Sequence, residues 1–258
     1  MVGIKYQIYA FSSDVVKSQE KFLSHTLNKG YNVPRFQYNV ITTPRIKHSI
    51  SEDLCVTPAD KCYAIFCFAD VDADAEDCII EVNPDECIDD AVQTRSKFLQ
   101  LYTTLNPTLE TVEYDITTGH ADGKNLQFPD KPANKLLGMG CLKPHPTSSK
   151  AAVDNESSSS SLSSAYELTG FVSFYPRVGS KLILQCEKFA KECLSATQVW
   201  ITAIGEHELS GMYEKWGYKL VETVLVPLSA AGDVEDCHLE NDIGASQDFH
   251  LDVMVKDL

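Results

Sequence analysis

The residues of this chain that could do chemistry concentrate between Tyr166 and Leu220. An apolar strand pattern gives way to Pro176-Arg-Val-Gly-Ser180, and an apolar stripe at helical spacing begins just beyond it. At such a junction the first N–H groups of the helix lack intrahelical partners, and the positive end of the helix dipole reinforces them. Gly179 and Ser180 therefore sit where a phosphate or another anion binds well. Lys181 adds a positive charge beside them. An ordinary strand-to-helix connection looks the same, so the junction alone leaves both readings open. Further along, Leu209-Ser-Gly-Met-Tyr-Glu-Lys-Trp-Gly-Tyr218 brings in Tyr213, a side chain able to give up a proton. Together these residues point to a phosphate-bearing cofactor held beside a proton donor.

The elements that must position them alternate between strand and helix. Glu167 to Tyr175 reads as a strand. Gly179 to about Leu194 reads as a helix, with Leu182, Ile183, Cys186, Phe189, Ala190 and Cys193 on one stripe. Val199 to Ile204 is a strand, and His207 to Trp216 is a short helix stopped by Gly217. Tyr218 to Val226 is another strand, and Phe249 to Val255 closes the series after the acidic segment 231–247. In the first half, Ile4 to Phe11 reads as a strand. Ser13 or Asp14 caps a helix predicted to run to about Asn28, with Gly30 as its stop. Residues 32–60, with Pro34, Pro44 and Pro58, read as extended or loop structure. Cys62 to Ala69 is a buried strand, expected to form a hairpin with Cys78 to Val82. A helix is expected from Asp85 to about Leu105, and strands at Thr111 to Thr117 and Lys135 to Leu142. The serine-rich stretch 147–164 has too little to bury, so a mobile insertion is expected there.

Composition narrows the partners. The chain has 258 residues, of which 43% are apolar, enough for a real core, and a formal charge of −15. A field of that sign repels nucleic acid and anionic lipid and draws in cations, so neither DNA nor a membrane surface is an expected partner. Nine cysteines stand at 55, 62, 67, 78, 87, 141, 186, 193 and 237 with no Cys-x-x-Cys pair. An odd, scattered set favours reduced and mostly buried thiols over a disulfide framework or a zinc site, and no metal is expected. Met1 to Ala10 lacks the apolar core of a leader, and no run of 18 apolar residues occurs, so a cytoplasmic or nuclear location is expected.

Tyr213-Glu-Lys-Trp-Gly-Tyr218 also carries a resemblance. Members of the GNAT superfamily of N-acetyltransferases commonly show an apolar strand, a Gly-rich turn opening a helix, and a later Tyr-Glu-Lys-x-Gly-Phe/Tyr segment, which is matched here in full. The ending His250-Leu-Asp-Val-Met-Val-Lys256 is similar to the family's final strand. The resemblance covers residues 135–258 and implies an α/β fold: a mixed, twisted sheet, splayed after its central strand and flanked by helices. It implies acetyl-CoA as co-substrate in the splay, its pantetheine along Phe171, Val172 and Ser173 and its pyrophosphate on Arg177, Val178, Gly179, Ser180 and Lys181. Tyr213 would then be the general acid that protonates the departing thiolate. The turn departs from the family's Gln/Arg-x-x-Gly-x-Gly/Ala, because Phe174 and Arg177 stand where Gln/Arg and the first glycine belong.

An amine acceptor needs a base, since an amine of pKa ~10 is charged near pH 7. Glu167 lies where some relatives carry a glutamate base; His207 and Glu208 are further candidates that serve equally well as helix-start residues. The expected acceptor is the primary amine of a small cationic molecule or a lysine-rich peptide. A catalytically weak module binding acyl-CoA or a protein partner is the alternative. Asp70, Asp72, Asp74 and Glu81 fall at EF-hand ligand positions, but Ala75 replaces the required glycine, so a solvated hairpin loop is the better reading. One domain spanning 1–258 is expected, with 1–130 a divergent or inserted part, because no linker separates the halves.

Overall fold

A computed structural model describes residues 2–70, 109–116, 128–129, 136–146, 164–175, 177–228 and 243–258. Eight strands form one mixed sheet in the order β3-β1-β2-β4-β5-β6-β8-β7. They are β1 (Val2–Ala10), β2 (Tyr63–Asp70), β3 (Leu109–Ile116), β4 (Leu136–Pro144), β5 (Ser164–Ser173), β6 (Ala196–Ile204), β7 (Lys219–Val226) and β8 (Phe249–Asp257). Only β1–β3 and β5–β6 are parallel pairs; the other neighbours are antiparallel. The fold class is the one the resemblance implied, GNAT-like, with the first-half strands β1, β2 and β3 continuing the same sheet. The core runs along it: Ile4, Tyr6, Ile65, Phe66, Leu136 and Met139 are all buried.

Two features of β5 shape the molecule. Its pairing with β6 begins at Ser164–Ala196 and ends at Glu167–Trp200, although both strands continue, so the sheet opens between them. On the β4 side, Met139 pairs with Val172 and Cys141 with Thr169, so Gly140 is matched by both Gly170 and Phe171. That is a β-bulge, and Gly170 takes φ 54° there, a conformation that suits glycine.

Helices cover both faces. α1 (Asp14–Ser18) starts with Ser13 Oγ accepting from Val16 N; α2 is Glu20–Tyr38 and α3 is Ile50–Asp53. α4 (Val178–Leu194) buries Leu182, Ile183, Cys186, Phe189 and Ala190, the predicted stripe, although Cys193 at its end is exposed. α5 is Ser210–Lys215. α2 and α4 lie on opposite faces of β5. A Cβ built on Gly30 of α2 would lie 2.4 Å from Val172 Cγ1, and one on Gly179 of α4 would lie 3.5 Å from Ser173 Cβ. Adjacent strand residues point to opposite faces.

The helix predicted to stop near Asn28 does not stop there. It breaks at Gln19, resumes at Glu20 and passes through Gly30 and Pro34 to Tyr38, ending at Asn39 in a left-handed cap. Residues 32–38 are therefore helical, not extended. Burial overrides local propensity: Leu23, Leu27, Asn28 and Asn32 keep the stripe going, and glycine at 30 is what allows close approach to Val172. Gly217 does stop α5, with φ 94° and its N–H bonded to Glu214 O at 2.9 Å. β2 lies between β1 and β4; its proposed hairpin partner, the helix near 85–105, the acidic run beyond Asp70 and nearly all of the serine-rich stretch lie outside the described residues. Cys62, Cys67, Cys141 and Cys186 are buried thiols in no disulfide, and burial pushes the Cys67 and Cys141 thiols up to about 12. Among the described residues no helix is long and apolar enough to cross a membrane.

Candidate functional site

A cavity of about 250 Å³ opens where β5 and β6 diverge. Its wall is drawn from both strands, from α2, from residues 41–45, and from the segment that follows β6. Tyr213, Glu167, Phe171, Val172 and Ser173 all line it. Arg177, Val178, Gly179, Ser180 and Lys181 do not; they form the start of α4 immediately after β5.

That start has the marks of an anion site. Arg177 precedes α4 in a left-handed conformation, φ 68°, and gives no side-chain cap, while the first turn holds no acidic residue. Val178 N bonds back to Tyr175 O at 3.3 Å, and Ser180 Oγ donates to Arg177 O at 3.0 Å. A non-glycine residue held at positive φ costs roughly 1–2 kcal/mol. Arg177 is exposed, and the helix runs on beneath it with Val178 fully buried.

Tyr213 is reached through the turn after β6. A 3-10 turn, Gly205–His207, leads to Glu208 at φ 56°, then to α5, whose Tyr213 N donates to Leu209 O at 3.1 Å. The Tyr213 ring meets Trp216 and Tyr218 edge-on, with centroids 5.6 and 6.0 Å away. Burial, reinforced by the nearby Tyr31 phenol, pushes the Tyr213 hydroxyl above the usual tyrosine range. A phenol so placed stays protonated at neutral pH and is a donor.

Glu167 is buried at the last rung of the β5–β6 pairing. Its Oε2 lies 3.6 Å from Lys143 Nζ, directly across on β4, and Lys143 also donates to Leu54 O at 3.1 Å. Of the two other base candidates, His207 lines the cavity and Glu208 does not. His207 is buried and stacked on Tyr38, with centroids 5.1 Å apart. Burial lowers its pKa more than neighbouring Glu206 raises it, so the ring is neutral near pH 7. Glu206 itself accepts from His250 N at 3.0 Å and meets His250 Nδ1 at 2.8 Å.

Sequence reasoning missed the α2 side of the wall. Tyr31, Arg35 and Arg45 all face the cavity. Arg45 donates to Asp53 O and to Thr169 Oγ1, both at 3.2 Å, and its guanidinium lies 5.3 Å from the Tyr31 ring centroid. Two clamps hold the 41–48 segment in place. Asn28 of α2 accepts from Ile46 N at 2.7 Å and donates to Ile46 O at 2.8 Å, and Asp53 Oδ2 accepts from the N–H groups of Lys47 and His48, both at 2.7 Å. The available signal was Gly30 and Pro34, one helical turn apart within an apolar stripe, which marks a helix pressed against something.

Among the described residues no group of histidines, cysteines and carboxylates could hold a metal ion. The splayed mixed sheet and the cavity at its opening define a GNAT-like fold. The chain belongs to the family of sporulation protein RMD6, whose model matches residues 4–258. No curated protein sequence matches it. Solved structures similar to it include Arabidopsis thaliana NAA60 in complex with acetyl-CoA, at 15% identity and TM-score 0.36, over 51% of this chain and 71% of that one. An N-acetyltransferase from Staphylococcus aureus Mu50 matches at 9% identity and TM-score 0.45, over 100% of this chain and 97% of its own. Drosophila melanogaster polyamine N acetyltransferase matches at 11% and 0.32, over 48% and 71%. Likeness at this level carries nothing about the chemistry of this chain.

Proposed function

We propose that this protein is an acetyl-CoA-dependent N-acetyltransferase acting on the primary amine of a small molecule or peptide. The observation that carries the reading is that Tyr213 and Glu167, from distant parts of the chain, share the cavity where β5 and β6 part. The uncapped start of α4, free of acidic residues, suits the phosphates of a coenzyme, with Arg177, Val178, Gly179, Ser180 and Lys181 as their contacts. Phe171, Val172 and Ser173 on the cavity wall would hold its pantetheine arm. We take 1–258 as one domain, since a single sheet joins both halves.

Bound acetyl-CoA would supply an acetyl thioester, whose departing sulfur needs a proton. Tyr213, kept protonated by burial, gives that proton. Glu167 takes the proton from the acceptor's ammonium, with the Lys143 ammonium 3.6 Å from its Oε2. Backbone N–H groups at the Gly170–Phe171 bulge, where an extra residue stands outside the ladder, steady the charge developing on the carbonyl oxygen. Calorimetric titration with acetyl-CoA and with CoA tests the reading, together with thiol release on adding amines. Micromolar binding and amine-dependent release are expected; no binding at millimolar coenzyme would sink it.

A further inference from the structure

Tyr213 stands on α5, a helix of six residues with no side-chain cap at its start. A helix that short does not hold its own place, so its ties to the rest of the molecule decide where Tyr213 goes. Two of them lead to β8. At the start, Ser210 donates to Asp252 of that strand. At the end, Tyr218 N donates to Tyr213 O at 3.1 Å, and the two rings meet edge-on. The Tyr218 ring in turn has the Lys256 ammonium of β8 5.6 Å from its centroid, within cation–π range. Gly217, at φ 94°, lies against the same side chain: a Cβ built there would sit 3.4 Å from Lys256 Cε. Lys256 Nζ donates to Glu187 Oε2 of α4 at 2.6 Å. Glu187 is buried and its Oε1 has no hydrogen-bond partner, so the carboxylate depends on Lys256.

A buried ion pair adds little net stability over an apolar pair of the same shape. What such a pair can fix is position, because its two charges must meet in one geometry. Neither Glu187 nor Lys256 lines the cavity. Any effect of the pair on turnover has to pass through another residue, and the contacts lead to Tyr218 and from there to Tyr213. We infer that Glu187 and Lys256 are positioning residues, which tie the end of α5 to α4 and β8 and so hold Tyr213 at the cavity wall. This rests on the acetyltransferase reading for what the Tyr213 hydroxyl does, and on the contacts for where it is held. It also joins the two ends of the site, since α4, whose start is the proposed coenzyme contact, is linked through one lysine to the helix that carries the acid.

The test is the double variant Glu187→Met/Lys256→Met, which removes both charges, keeps both side chains long and leaves no buried charge unpaired. The readout is thiol release from acetyl-CoA with the better of 2-phenylethylamine and spermidine as acceptor. We expect Tm, acetyl-CoA affinity and acceptor KM to stay near the wild type, while kcat falls about tenfold or more. Unchanged kcat overturns the inference. So does a fall in Tm with coenzyme affinity and kcat dropping together, which marks a general loosening of the fold. Lys256→Met alone strands the carboxylate and should lower Tm as well as kcat. Lys256→Arg keeps a cation against both Glu187 and the Tyr218 ring and should return most of that kcat. Should the wild type release no thiol, the acetyltransferase reading fails by itself, and NMR decides the placement apart from the chemistry. A ring-to-ring NOE between Tyr213 and Tyr218 that weakens in the double variant supports the inference; an equal NOE overturns it.

Discussion

The two faces of β5 are built by different means. On the α4 face, a strand runs into a helix within a few residues, and the site follows from local chain direction: the first N–H groups of α4 point where the strand ends. The α2 face is assembled from segments far apart in sequence. Asn28 reaches Ile46 across 18 residues, and Arg45 reaches Thr169 across 124. Local geometry makes a generic helix start, of a kind that many chains share. Long-range packing makes a wall particular to this chain.

The most severe test removes the hydroxyl of Tyr213, the proposed acid. Tyr213→Phe should keep acetyl-CoA affinity, since the ring packing against Trp216 and Tyr218 survives, while turnover falls by roughly a hundredfold or more. Full turnover in a steady-state assay would remove Tyr213 from the acid's role. Next in size is Asn28→Leu, which leaves the N–H and C=O of Ile46 unpaired in a buried place. A loss of about 2–3 kcal/mol in urea unfolding is expected, with acceptor KM disturbed more than coenzyme affinity. An equal effect on both would mean that the faces are not separable.

Gly30→Ala is smaller, because two terms oppose. Alanine favours the helix by about 1 kcal/mol, but its Cβ would fall 2.7 Å from Val172 Cβ, on a stiff branched side chain. Overpacking of roughly 1–3 kcal/mol should win, lowering Tm by a few degrees; a raised Tm would show that α2 can shift freely. The mildest effect comes from pH. Burial raises the Asp53 pKa, but the N–H groups of His48 and Lys47 more than offset it, so the folded value lies below the ordinary carboxylate range. The stability it contributes is present above about pH 3.9 and is lost as pH falls through that lower value. Hydrogen exchange at Lys47 and His48 should accelerate there in the wild type, and the acid dependence should vanish in Asp53→Asn.

The α4 face was legible because helical periodicity and chain-order motifs are short-range signals. The stripe Leu182, Ile183, Cys186, Phe189 and Ala190 and the stop at Gly217 could both be read from neighbours in sequence. The α2 face was not legible, since Gly30 and Pro34 are helix breakers by local preference and only burial against Val172 explains their place inside a helix. Tyr31, Arg35 and Arg45 look like any surface residues until that helix is laid on β5.

By itself, the sequence determined the order of elements from β4 onward, the sign of the overall charge, and the residues that local turns bring to helix ends. Tertiary structure decided that β5 and β6 would separate after Glu167, that Tyr213 and Glu167 would share one cavity, and that α2 would close it. The physical reason is range. Propensity and periodicity act over a few residues, whereas a cavity wall is the balance of buried surface and satisfied hydrogen bonds between segments that meet only when the chain is folded.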